Sequence, residues 1–164
     1  MSKERENLEL ECENQLKMLN ELYSGYTNRQ SQKKKGVSEM FAKWVRNDAN
    51  QIEPVSKEFL KNVESLIGAL DNTLSSISCF DRSLCEKLCG RALLIIFAHK
   101  PANETNDTER YLAASEYLAP VLFKYASRDD MNRIREELLA RIPRRLMYPK
   151  QREIVDMLGE MLSS

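Results

Sequence analysis

Between Val55 and Ile77 the apolar residues Val55, Phe59, Val63, Leu66, Ile67, Leu70, Leu74 and Ile77 recur at steps that keep one face. That period matches the α-helical turn and lays the side chains along one stripe. A stripe this long commits the chain to burying one helix face against other helices. The rest of the sequence agrees. Its 164 residues include only five Gly and five Pro, too few for a turn-rich β protein. Hydrophobic residues make up 42% of the chain, enough for a core, which excludes wholesale disorder.

Other segments extend the helical reading. Val37, Met40, Phe41, Trp44 and Val45 share a face of a helix ending near Asn50. Pro54 suits the first turn of the helix that carries the long stripe. The stripe runs out in the serine-rich stretch Ser75 to Ser78. Asp81 is a candidate N-cap for a helix over 82–99. The second half of that helix, Ala92 to Ala98, is apolar all round, which predicts central burial. Pro101 and a polar loop to Asn106, where two glycosylation sequons fall, stop it. The next helix carries Tyr111, Leu112, Leu118, Leu122 and Phe123, and Pro120 inside its pattern predicts a kink or a split. Two more follow, over 129–142 and from about Pro149 to the C-terminus, joined by an arginine-rich connection. The expected fold is all-α. About six helices over 37–164 form an irregular bundle or a short HEAT-like array of helical hairpins. The absence of an internal repeat favours the bundle.

Zero net charge hides segregation. Residues 1–24 carry three basic and six acidic side chains, whereas residues 28–50 carry six and two. Leu8, Cys12, Gln15, Leu19, Leu22 and Tyr26 step by four and three, a coiled-coil-like seam with one polar position. The seam is short for an isolated coiled coil. Either this helix docks on its own domain, or it pairs with a partner or a second copy through Leu8, Cys12, Leu19 and Leu22. Residues 24–36 read as a polar basic linker. The expected division is therefore an N-terminal amphipathic helix and linker over 1–36, and a helical domain over 37–164.

Signs of chemistry are sparse. The N-terminus is too charged for a signal peptide, and the longest apolar run, Ala92 to Ala98, is far short of a membrane span. A cytoplasmic or nuclear protein is expected. Cys12, Cys79, Cys85 and Cys89 then read as free thiols, mostly buried. Cys85 and Cys89 share a helix face. His99, the one histidine, stands about 15 Å further along the axis at about 1.5 Å per residue. Too few ligands converge for zinc. His99 suits a helix C-terminus better than a catalytic triad. No GxSxG, P-loop, GxGxxG, HExxH or EF-hand pattern occurs. No cofactor, metal or enzymatic activity is expected.

The functional question therefore turns to partners. Phe41 and Trp44 are candidate interface anchors, although aromatics at helical spacing more often belong to a core. Arg144, Arg145 and Arg152 could orient an acidic peptide through bidentate contacts. Lys33, Lys34, Lys35, Arg144, Arg145 and Lys150 could instead contact phosphates, with Tyr148 stacking on a base. Residues 128–164 carry eight basic and seven acidic side chains, so an ion-paired face is the simpler reading. The favoured function is a non-enzymatic protein–protein interaction module, an adaptor or scaffold subunit binding a partner helix or peptide. An RNA- or DNA-associated protein is the alternative.

Overall fold

The long apolar stripe folds into the central helix of the molecule. The computed structural model describes the backbone over 2–35, 42–98 and 107–164, and side chains over 3–27, 55–98 and 110–164. In chain order the helices are α1 (Ser2–Lys35), α2 (Ala42–Ser78), α3 (Arg82–Phe97), α4 (Asp107–Glu116), α5 (Arg128–Arg141) and α6 (Pro149–Ser163). Short 3-10 segments, Ala119–Tyr125 and Arg144–Leu146, lie between α4 and α5 and between α5 and α6. No strand occurs among the described residues, and the fold is an all-α bundle. α2 touches α1, α3, α4 and the first 3-10 segment. It buries Phe59, Val63, Ile67, Leu70, Leu74 and Ile77, and half-buries Val55 and Leu66. Full burial of side chains this size stabilises by about 1.5–3 kcal/mol each.

Local signals set most of the boundaries. The Asp81 carboxylate accepts a hydrogen bond from the Leu84 N–H at 3.0 Å and caps α3. The same carboxylate holds Arg5 of α1. Asp81→Ala is expected to cost about 0.5–2 kcal/mol, read as a lower urea midpoint at unchanged slope. Ser127 caps α5 in the same way, accepting from the Asp130 N–H at 3.1 Å. Pro120 stands in the first turn of the 3-10 segment that follows α4, so the expected split occurs there. Pro149 opens α6, where its missing donor costs nothing.

Three expectations change. Residues 24–35 are not a linker, because α1 continues through them to Lys35. Gly25 alone disfavours a helix by roughly 1 kcal/mol against alanine. The following residue, Tyr26, stacks on Phe59 at 4.2 Å and shares a 2.9 Å hydrogen bond with Ser56. That anchor carries the helix past the glycine. The short helix before Pro54 is not separate either, since α2 runs unbroken through the proline. Proline removes one donor but holds φ near its helical value. Third, the run from Ala92 to Ala98 is not buried all round. Leu93, Ile96 and Phe97 are inside, but Leu94 is 58% exposed. α3 meets the core with one face.

Tyr26 beside Ser56, with Met18 and Leu66 lining the same depression further along, makes α1 and α2 antiparallel. Arg5 beside Asp81 and Glu13 beside Arg91 make α1 and α3 parallel. Each of the three touches the other two, and α5 and α6 pair with each other.

Candidate functional site

α1 seats its seam in the chain's own core. Cys12, Leu16, Leu19, Tyr23 and Tyr26 are buried, while Leu8 and Leu22 are half-buried against the same cluster. The buried stripe is wider than a coiled-coil seam because α1 packs chiefly against two helices, α2 and α3. Leu16 and Tyr23 therefore join it, and Gln15 and Leu22 move to its edge. Of the candidate partner contacts, neither Cys12 nor Leu19 reaches the surface. Burial pushes the Cys12 thiol up to about 12. A substitution at Leu19 reports on folding rather than on docking.

The surface that remains open lies along the other edge of the α1–α2 pair. Two adjoining depressions of about 270 and 470 Å³ run between the helices and share Glu21, Leu22 and Asn62. The floor at one end is the stacked pair Tyr26 and Phe59, both buried. Tyr23 meets the same phenylalanine edge-on at 5.2 Å. Val55 and Leu66 stand in the α2 wall, half-buried. Met18 forms the lip at the other end and is 54% exposed. Of the seam residues expected to meet a partner, the groove keeps Leu22.

No family model, curated protein or solved structure matches the chain.

A polar cluster inside the bundle has no counterpart in the sequence reading. The Tyr23 hydroxyl donates to Ser115 Oγ at 2.7 Å, and Ser115 donates onward to the Leu112 carbonyl. The next residue, Glu116, is buried and accepts from Arg141 at 2.9 Å. Arg141 also donates to the Phe97 carbonyl at 3.0 Å. The last residues of α3, α4 and α5 thus meet at one ion pair. Burial pushes the Glu116 carboxyl up to about 7, with Arg141 pulling it down. Burial also pushes the Tyr23 phenol up.

Three of the basic residues, Arg144, Arg135 and Arg152, gather around one carboxylate, Asp156. Arg144 grips Asp156 with two hydrogen bonds, 3.0 and 2.7 Å, and holds that carboxyl below its ordinary value. Arg141, just before Arg144 and Arg145 in the chain, lies inside. Arg145 and Lys150 are exposed, and Arg152 is half-buried with Nε lacking a hydrogen-bond partner. Lys33, Lys34 and Lys35 end α1, and Trp44 lies in the first turns of α2, but their side chains fall outside the described residues. Phe41 and His99 fall outside them entirely.

Among the described residues no three His, Cys, Asp or Glu side chains converge as a metal site. Cys85 and Cys89 are buried and donate to the carbonyls of Leu74 and Leu122. Burial pushes both thiols up. Cys79 is exposed, contrary to the general expectation of buried thiols. No described helix is long and apolar enough to cross a membrane.

Proposed function

We propose that the chain is a non-enzymatic protein–protein interaction module of the cytosol or nucleus, an adaptor or scaffold subunit that seats a partner helix between α1 and α2. The observation that supports this most is the groove, with its aromatic floor, half-buried walls and open lip at Met18. A helix presenting apolar anchors at i, i+3 or i+4, and i+7 suits the space beside two antiparallel helices. Affinity would come from burial of those anchors at the centre of the contact. The nucleic-acid alternative has less support, because Arg144 is held by a carboxylate of the same chain.

The test is photo-crosslinking in cells with benzoylphenylalanine at position 62 of the full chain. One discrete protein adduct is expected. Adding Met18→Asp should remove it while the melting temperature holds, because Met18 is exposed. Adducts that survive Met18→Asp, or that form equally from a reporter at position 160 on α6, would overturn the reading.

A further inference from the structure

Building on that groove, we infer that its occupant is a cationic amphipathic helix of another protein, a short apolar seam flanked on both sides by Lys or Arg. Among the described residues each wall carries one charged side chain and both are acidic, Glu21 on α1 and Glu58 on α2. The other polar positions, Asn62 and Ser65, are neutral. No cation among the described residues forms an ion pair with either carboxylate. The opposite holds where α1 faces α3, since there Glu13 is met by Arg91. The two groove carboxylates therefore stand on either side of an apolar strip, unanswered by any described cation. A helix lying in the strip would bring its flanks to both walls, and basic flanks would meet each carboxylate.

The dimensions set the length of the contact. From Met18 to Gly25 the groove runs about 10 Å at about 1.5 Å per residue, or two turns of a seated helix. Three anchors on one face fill that length. A second copy of this chain suits the groove poorly. Two-fold pairing would set acidic walls against acidic walls at a desolvated seam. Nucleic acid would bring phosphates to the same carboxylates.

Two helical peptides of about eighteen residues test this, long enough for helix formation on binding. They share one leucine seam, with Lys flanks in one and Glu flanks in the other. Each is titrated into the full ¹⁵N-labelled chain. The Lys peptide should bind at least about tenfold more tightly, shifting the amide signals of Met18, Leu22 and Leu66. Charge reversal by Glu21→Lys with Glu58→Lys should invert the preference, which a mere loss of folding would not do. Equal binding of the two peptides, or a preference that charge reversal leaves unmoved, overturns the inference. So does a dimer mass by light scattering that Met18→Asp converts to a monomer, since the groove then belongs to a second copy. A specific adduct from position 62 together with no preference for the Lys peptide would keep the interaction module and remove its cationic partner.

Discussion

Arg141→Met is expected to lower the unfolding free energy by about 3–5 kcal/mol near pH 8. The Glu116 side chain is 2% exposed and that of Arg141 10%, so neither charge has water to replace its partner. Removing the guanidinium leaves a carboxylate inside the bundle and strips the Phe97 carbonyl of its donor. The loss should depend on pH, and its sign follows from Glu116. Burial raises that carboxyl from about 4.5 to about 7 in the folded chain. Its contribution to stability is then complete below about pH 4.5 and is lost as pH climbs towards 7. Without Arg141 the folded value rises further, and the loss continues to higher pH. The variant should lie nearest the parent protein at about pH 5 and furthest from it at about pH 8. Glu116→Leu combined with Arg141→Met removes both charges and should recover most of the deficit. Urea midpoints at the two pH values decide the matter: a deficit independent of pH would mean that Glu116 is not the group left uncompensated.

What the amino-acid sequence discloses here divides along physical lines. Features decided within a few residues were readable. The α2 stripe, the Asp81 cap, the split at Pro120 and the start of α6 at Pro149 each depend on spacing or on one side chain's chemistry. Features decided by distant neighbours were not. Gly25 and its polar surroundings resemble a linker, and only the contact of Tyr26 with Phe59 and Ser56 turns them into helix. Leu94 and Leu93 are the same residue type in the same apolar run, yet one faces out and the other in. Arg141 resembles its surface neighbours until Glu116, 25 residues earlier, is placed beside it. The groove combines both kinds of information. Leu22 was legible as an apolar position on α1, but Val55, Glu58 and Leu66 joined it only through the antiparallel pairing of α1 with α2. Nothing in the spacing of either helix announces which edge of that pair stays uncovered.

Leu19→Asp should abolish cooperative unfolding or cost at least about 4 kcal/mol, a large share of the roughly 5–15 kcal/mol that holds a domain together. Leu19 is 0% exposed, and its neighbours in the core come from the same chain. An aspartate there has no basic partner and no route to water. The neighbouring substitution Met18→Asp supplies the contrast. Met18 sits one position earlier on the same helix but lies at the open lip of the groove. Its replacement should change stability by no more than about 0.5 kcal/mol. The pair distinguishes two views of residues 1–36. An arm that reaches for partners would tolerate both changes in the melt and lose binding with both. A helix that completes the core would fail to fold with the first and lose only binding with the second. Removal of residues 1–36 extends the argument, because it uncovers the faces of α2 and α3 that Leu16, Leu19 and Tyr23 occupy. The remainder should then bind a hydrophobic dye and melt without a sharp transition. A truncated chain that melts as sharply as the full one would restore the arm.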